Sequence, residues 1–263
     1  MPLPPDLHVH TEWSWDAPNG SMEQSCARAL ELGLPAIAFT EHADWAVVHK
    51  GQHAVDIHGY LDAVERCRVR FPGLRILTGV ELGEPHRYPE ETAAILAAGP
   101  LDQVLGSVHS IPYNGGLIDA SQFRSREGID FPAAVREYFH EVLALVESNQ
   151  PFEVLAHLDY PKRYWLAGAA PYREQDYQEE IREVLKAAAR TGRVLEVNTT
   201  RGHTLCPDLT VVRWWRELGG QAVQYGSDAH QPDKLAEGFK VATQMVESAG
   251  FKPAKDPVSL WRR

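Results

Sequence analysis

"DLHVHTEWSWD", residues 6–16, begins as a short apolar strand and then places two histidines, His8 and His10, one residue apart, with Asp16 six residues further on. Polar groups at the end of a buried strand are costly unless each of them has a partner. The same arrangement, an apolar segment that ends in polar side chains, recurs along the rest of the chain, and this repetition indicates the fold.

Short apolar segments alternate with longer segments of helical period. Residues 21–33 open with a capping-box pattern at Ser21 and Gln24, and Gly33 is a predicted helix stop. Seven segments are predicted strands: 7–9, 35–40, 74–80, 101–108, 152–157, 193–198 and 221–227. Alternation without a change in composition predicts one α/β domain over residues 1–263 with a parallel sheet. Seven units favour a closed or nearly closed barrel related to the (β/α)8 design, with a doubly wound open sheet as the alternative.

Each predicted strand delivers a side chain that can bind a metal ion or a phosphate group at its C-terminal end. In chain order these are His8 and His10, Glu41 and His42, Glu81, His109, His157 and Asp159, Asn198 and Arg201, and Asp228 and His230. In a parallel barrel the C-terminal strand ends meet on one face, where active sites of this architecture lie. One such residue alone is commonly a hydrogen-bonded core or rim residue, but seven strand ends together predict a shared site.

Nine of the polar side chains are predicted metal ligands: His8, His10, Asp16, His42, Glu81, His109, His157, Asp228 and His230. A mixture of imidazole and carboxylate ligands suits Zn, Mn or Fe. Because one ion takes about four to six ligands, some of them water, this set suits two or three divalent ions. Closely spaced metal ions favour the hydrolysis of a phosphate ester.

The composition excludes some classes of partner. The chain of 263 residues has a formal net charge of −10, which disfavours binding of nucleic acid through a basic surface. A small phosphorylated substrate is compatible with this charge, because metal cations reverse the local sign of an acidic site. No apolar run of about 18 residues predicts a membrane span, and the start lacks a signal-peptide pattern. The widely spaced Cys26, Cys67 and Cys206 form no disulfide framework, which favours a cytoplasmic location.

Six motifs, taken together, resemble the successive motifs of the PHP (polymerase and histidinol phosphatase) family: "HVHTEWSWD", "FTEHAD", "TGVELG", "GSVHS", "LAHLD" and "YGSDAH". The resemblance extends from residue 6 to about residue 250. It implies a distorted (β/α)7 barrel with a trinuclear metal centre. The chain length and the segment "AHLDYPKRY" (156–164) are most similar to the stand-alone histidinol-phosphate phosphatases.

The resemblance also implies how the ligands are divided and which reaction they serve. It implies three ligand groups: His8, His10, Glu81 and Asp228; Glu81, His109 and His157; and Asp16, His42 and His230. Glu81 belongs to the first two groups and is the implied bridging ligand. The implied reaction is attack by a metal-bridging hydroxide on the phosphorus of L-histidinol phosphate, which releases L-histidinol and phosphate.

Further side chains are candidates for substrate contacts. Arg163 and Arg201 are the predicted phosphate clamps, since the planar guanidinium suits bidentate phosphate binding. His53, in the long connection 43–56, is the predicted proton donor to the leaving alkoxide. Trp15, like its neighbour Trp13, is a candidate wall of the substrate pocket.

Three supporting features complete these expectations. Asp6 and Asp159 are predicted to orient ligand histidines, as carboxylates commonly do at metal sites. The C-terminal segment 251–263 is predicted to be a surface extension. The segment "TTRGHTLCPD" (199–208) departs from the stretch that histidinol-phosphate phosphatases often carry there, which leaves the specificity for the leaving group open.

Two alternatives to L-histidinol phosphate hydrolysis remain. One is a PHP phosphoesterase that acts on nucleotides or another small phosphorylated metabolite. The other is a non-catalytic metal-binding module, which the presence of all nine candidate ligands disfavours. The sequence does not indicate an oligomeric state.

Overall fold

The computed structural model describes residues 3–46, 53–165 and 171–263, and a curled eight-stranded sheet lies at its centre. The strands of this sheet, in their spatial order, are β1 (Asp6–Val9), β2 (Ala36–Ala43), β3 (Arg75–Gly83), β4 (Gln103–Ser107), β7 (Val154–Leu155), β8 (Val194–Asn198), β9 (Ala222–Gly226) and β10 (Trp261–Arg262). A separate hairpin consists of β5 (Ser110–Tyr113) and β6 (Gly116–Asp119).

The first seven strands of the main sheet are parallel, and each pairs with its neighbour in the order of the chain. The two ends of this array meet, because Val9 forms a parallel bridge with Ala229. At this seam the amide of His10 donates to Ala229 O at 2.9 Å, and the amide of Asp228 donates to His8 O at 2.8 Å. The strands therefore form the predicted distorted (β/α)7 barrel rather than an open sheet.

Helices surround the barrel: α1 (Met22–Leu32), α2 (Ile57–Arg70), α3 (Pro89–Ala97), α4 (Phe131–Glu147), α5 (Gln178–Arg190), α6 (Leu209–Glu217) and α7 (Phe239–Ser248). The predicted start and stop of α1 are confirmed, since Ser21 Oγ accepts from the amide of Gln24 and Gly33 adopts φ 68°. The apolar face of α5, with Ile181, Val184 and Leu185, is buried as its spacing predicts. Among the described residues, no helix combines the length and the apolar character that a membrane span requires.

The sheet is buried where the polar strand ends emerge. All eight residues of β2 are buried, as is typical of a parallel strand that is covered on both faces. The predicted surface extension at the C-terminus is wrong for its last residues, because β10 pairs antiparallel with β9 and Trp261 is buried against Tyr225, whereas residues 252, 253 and 255–257 are exposed. The long connection 43–56 lies partly outside the described residues, which omit 47–52.

Candidate metal centre

All nine predicted ligands meet at the C-terminal face of the barrel. They lie in or after six of the parallel strands, in chain order His8, His10 and Asp16; His42; Glu81; His109; His157; Asp228 and His230. Eight of the nine are buried, and Asp16 is partly exposed, with 27% of its side chain accessible. The fold therefore converts ligands that are distant in sequence into one buried cluster.

Glu81 lies at the centre of the cluster. Its Oε1 lies 2.7 Å from Nε2 of His157 and 3.3 Å from Nε2 of His109. Its Oε2 lies 3.2 Å from Nε2 of His8 and 3.3 Å from Nδ1 of His42. Strand register explains this position, because Glu81 is paired with His42 in the middle of the parallel sheet. One carboxylate thus faces imidazoles from both sides.

A second group of side chains lies beside Glu81. The rings of His10 and His42 stack with their centroids 4.2 Å apart, and the ring of His230 lies 4.4 Å from that of His10. Asp16 Oδ2 lies 2.8 Å from Nε2 of His230, and Asp16 Oδ1 lies 3.5 Å from Nε2 of His42. Asp16, in the loop after β1, therefore contacts His230, which follows β9.

The donor atoms fit divalent cations. Three sets of side chains have ligand atoms within 4.8 Å of one another: His10, His42 and His230; His8, His10 and Glu81; His42, Glu81 and His109. Asp16 Oδ1 and His42 Nδ1 are buried and make no hydrogen bond in the described part of the chain. Buried imidazole and carboxylate atoms without a hydrogen bond are suited to a metal ion. In these sets His10 and His42 are shared as well as Glu81, whereas the resemblance implies that Glu81 alone is shared.

The carboxylates of the cluster are ionised. Burial acts to raise the pKa of Glu81, but His8, His109 and His42 hold it well below its usual range. Burial also acts to raise the pKa of Asp228, and Arg163 and His8 hold it low. The negative charges that a cation needs are therefore in place.

The pKa values of the imidazoles in the cluster shift in opposite directions. Burial lowers the pKa of His10 to about 4, with help from His42 and His230, so His10 is neutral at pH 7. Burial also acts to lower the pKa of His42, but Asp16 and two other carboxylates raise it to about 10. Metal binding has to displace such protons, because only a neutral imidazole coordinates a metal.

Two carboxylates that orient ligand histidines were not predicted from the sequence. Glu196, in β8, accepts from Nδ1 of His8 at 2.6 Å and from the amide of His157 at 2.7 Å. Asp44 lies 3.3 Å from Nδ1 of His109, 3.4 Å from Nδ1 of His42, and accepts from the indole of Trp15 at 3.1 Å. Two features of the sequence could have indicated them. Glu196 is a charged residue inside an apolar strand, and Asp44 is the last residue of the motif "FTEHAD".

The two aspartates that were predicted to orient histidines have other contacts. Asp6 accepts from the amides of Ser227 and Ala236, both at 2.9 Å, and so ties the first strand to the last. Asp159 is fully buried, and Lys162 Nζ lies 3.6 Å from its carboxylate. In the described structure neither carboxylate is hydrogen-bonded to a ligand histidine.

Both predicted phosphate clamps reach the cavity of about 50 Å³ over the cluster. Arg163 Nη1 lies 2.7 Å from Asp228 Oδ2, while its Nε and Nη2 are buried without a hydrogen-bond partner among the described residues. Arg201 donates from Nε to Asp228 O at 3.3 Å. Arg201 and Asp228 adopt φ 58° and 54°, a left-handed conformation that is strained in non-glycine residues and is typical of functional sites.

The remaining candidates lie around this cavity. His53 is buried with its ring centroid 4.4 Å from that of Trp15, and it is not among the described side chains that line the cavity over the cluster. Trp15 lines an adjoining cleft, whereas Trp13 packs against the start of α2 near Gly59. Of the two tryptophans, Trp15 is the one in a position to contact substrate.

Comparisons with known proteins agree with this architecture. The family model described as "PHP domain" matches residues 6–200. The chain is 31% identical over 252 residues to a "Probable histidinol-phosphatase" of Clostridium acetobutylicum, with 94% of each chain covered. It is 26% identical over 257 residues to the "Histidinol-phosphatase" of Lactococcus lactis, covering 94% of this chain and 91% of that one.

The fold has a close structural counterpart. The crystal structure of histidinol phosphate phosphatase from Lactococcus lactis, complexed with Zn, L-histidinol and phosphate, superposes with a TM-score of 0.84 at 24% identity and 94% coverage of both chains. The barrel, the order of the motifs and the family match over most of the sequence lead to one conclusion: the chain belongs to the PHP domain family.

Proposed function

We propose that the protein is a metal-dependent phosphomonoesterase that hydrolyses L-histidinol phosphate to L-histidinol and phosphate. The observation that carries this proposal is the position of Arg163, a buried guanidinium with two unpartnered N–H groups beside a cluster of metal-ligand side chains. The 31% identity to a probable histidinol-phosphatase over nearly the whole chain supports the choice of substrate. A place in histidine biosynthesis, in the cytoplasm, and a single functional unit over residues 1–263 belong to the same proposal.

The cluster is proposed to hold two or three divalent ions, Zn, Mn or Fe. The proposed ligands are the nine side chains that meet at the barrel face: His8, His10, Asp16, His42, Glu81, His109, His157, Asp228 and His230. Ions bound there supply positive charge that polarises a phosphoryl group and favours the ionised form of water. Glu81 is proposed as the shared ligand, because its two oxygens face imidazoles on opposite sides.

Arg163 and Arg201 are proposed to hold the phosphoryl oxygens. Burial acts to lower the pKa of Arg163, but Asp228 raises it well above its usual value, so the guanidinium stays charged. While Nη1 contacts Asp228, Nε and Nη2 can donate together to a phosphate group. Arg201, whose side chain also lines the cavity, adds a second cation from the end of the neighbouring strand β8.

His53 is proposed to return a proton to the leaving oxygen. Its ring lies tilted against that of Trp15, and Trp15 lines the cleft that adjoins the cavity. His53 lines neither the cavity nor the cleft in the described structure, so this role requires its side chain to turn toward the substrate.

The test is a panel of phosphate esters assayed with protein prepared without a chelating tag, whose metal content is measured in parallel. We expect kcat/KM for L-histidinol phosphate to exceed that for nucleoside monophosphates and 4-nitrophenyl phosphate by at least about tenfold, or about 1.4 kcal/mol. A higher kcat/KM for a nucleotide would replace the proposed substrate. No hydrolysis of any ester by fully metallated protein would favour the non-catalytic module.

A further inference from the structure

Arg163 lies on a short 3-10 helix, Tyr160–Tyr164, which we name the clamp turn. The clamp turn follows β7, a strand of only two residues, and no side-chain hydrogen bond caps its start. At its end the amide of Trp165 donates to Lys162 O at 3.3 Å. Because short 3-10 helices have poor hydrogen-bond geometry, the backbone alone holds the clamp turn weakly, and side chains have to fix it.

We propose that Lys162, the residue before Arg163, is a positioning residue whose ammonium group anchors the clamp turn, so that the Arg163 guanidinium meets the phosphoryl group. This inference rests on the proposed function, in which Arg163 binds phosphate. It goes further by assigning a role to a residue outside the site, since Lys162 is not among the described side chains that line the cavity over the cluster.

Three segments of the chain meet at the Lys162 ammonium group. Its Nζ donates to Oε1 of Glu174 at 2.6 Å and to Leu205 O at 3.3 Å, and it lies 3.6 Å from Oδ2 of Asp159. The Lys162 side chain is only 16% exposed. Two of the three N–H groups of the ammonium therefore bind protein, whereas Nε and Nη2 of Arg163 have no hydrogen-bond partner among the described residues.

The anchor on the buried side of the clamp turn is charged. Burial acts to lower the pKa of Lys162, but Asp159 and Glu174 hold it above its usual value. Hydrogen bonds between ionised groups are about twice as strong as neutral ones. On the exposed side, Arg124 Nε donates to Tyr164 O at 2.6 Å. Lys162 is thus the contact that ties the turn to the interior of the protein.

The Leu205 carbonyl belongs to a segment that is itself hydrogen-bonded to the barrel. The amide of Asn198, at the end of β8, donates to Cys206 O at 2.9 Å, and the amide of Cys206 donates to Asn198 O at 2.8 Å. Arg201 lies in the loop that this pair closes. The hydrogen bond from Lys162 to Leu205 O therefore joins the turn that carries one phosphate clamp to the base of the loop that carries the other.

The test is a double-mutant cycle between Lys162→Met and Arg163→Ala, in which calorimetry measures the binding of inorganic phosphate to metal-loaded protein. Methionine keeps an unbranched apolar side chain and removes the charge. We expect Lys162→Met alone to weaken phosphate binding by at least about fivefold, the scale of coupling within one hydrogen-bond network. In Arg163→Ala protein the same substitution should change the affinity by less than about twofold, because no guanidinium remains to be positioned.

Steady-state kinetics on a hydrolysed ester give a second readout. We expect Lys162→Met to raise KM and to change kcat less, as for the loss of the clamp itself. A merely structural role of Lys162 would reduce the fraction of active protein, and so lower kcat without a change in KM. That result would overturn the inference.

Arg182→Met is the matched control, because Arg182 is a partly buried cation that joins α5 to α6 through Glu217 at 3.2 Å, and neither residue lines the cavity. Its phosphate affinity should equal that of the wild type. Lys162→Met leaves the buried Glu174 without its cation, so Lys162→Met combined with Glu174→Gln, which removes both charges, replaces it in the cycle if the single variant does not fold.

Three results of the cycle would each overturn the inference. They are no loss of phosphate affinity when Lys162 is replaced, an equal loss with and without Arg163, and an equal loss in Arg182→Met. The second of these is expected if Lys162 contacts phosphate directly.

Failure of the proposed function is read from other measurements. If the wild type hydrolyses no ester, phosphate binding alone decides the inference. No phosphate binding by the wild type, or unchanged binding in Arg163→Ala, would refute the clamp and the inference with it. Weaker binding in Arg163→Ala together with no loss in Lys162→Met would overturn the inference alone.

Discussion

Glu196 accepts a hydrogen bond from Nδ1 of His8 at 2.6 Å, and both side chains are fully buried. This contact fixes the ring so that Nε2 points to Glu81 and Asp228. The two residues are 188 positions apart in the chain. The direction of the first predicted ligand is thus set by a strand near the other end of the sequence.

Glu196→Gln should weaken metal binding without unfolding the protein. The amide is similar in size, but it lacks the charge that orients His8, and such orienting carboxylates contribute about 10–100-fold to metal affinity. Competition with a chromophoric chelator measures this change. Glu153→Gln is the control, because Glu153 is exposed and binds the amide of Val104 away from the cluster. Equal metal affinity in both variants would contradict the role of Glu196.

Glu81→Ala should remove both bound metal and activity, since this carboxylate faces imidazoles from both sides. We expect kcat to fall by at least about a hundredfold, the scale of losing a main electrostatic element of an active site. His10→Ala should behave alike. Metal analysis and steady-state kinetics test this together. Unchanged turnover in Glu81→Ala protein at full metal occupancy would refute the shared-ligand assignment.

Arg163→Ala should mainly raise KM for phosphorylated substrates, by about 10–100-fold, because charge-assisted hydrogen bonds to phosphate are lost. Inhibition by inorganic phosphate should weaken in parallel. Arg163→Lys should restore only part of the binding, since an ammonium group cannot form the planar fork. The control is Arg190→Ala, which removes an exposed arginine paired with Glu147. A fall in kcat alone, with unchanged KM and phosphate inhibition, would contradict a clamp.

Metal binding to the metal-free protein should release protons. The pKa of His42 is about 10, because Asp16, Asp44 and Glu81 outweigh the lowering effect of burial, so His42 is protonated at pH 7. A cation has to displace this proton, and metal affinity should therefore fall as the pH is lowered. Titration calorimetry in buffers with different ionisation enthalpies measures the release. Binding heats that are independent of the buffer would contradict this account.

Chelation should loosen the seam of the barrel. The amides of His10 and Asp228 form the hydrogen bonds that join the first strand to the last, and both residues are proposed ligands. We expect faster hydrogen exchange of peptides that contain these amides after metal removal, while β2 in the centre of the sheet keeps its protection. Uniform acceleration over the whole chain would instead indicate global unfolding.

The strand ends were predictable from the sequence because each combines an apolar run with an abrupt polar residue. Glu196 was not recognised, since one charge inside "RVLEVN" has no local sign of its partner, and the partner is at the other end of the chain. The sharing of His10 and His42 between ligand sets depends on how the sheet curls, which periodicity does not encode.

The C-terminal segment was mispredicted for a related reason. Its two-residue strand, Trp261–Arg262, is too short to produce an alternating pattern, and its pairing with β9 is a tertiary contact. The Trp261 side chain that this pairing buries reads in the sequence as an isolated aromatic residue.

The seam between the first and last parallel strands has a consequence for biosynthesis. Asp16 and His230 are in contact although 214 positions separate them in the chain. Because a ribosome delivers the chain from its N-terminus, the early ligands emerge long before their late partners exist. The complete ligand set assembles only after nearly the whole polypeptide has been released, so prematurely terminated chains lack it.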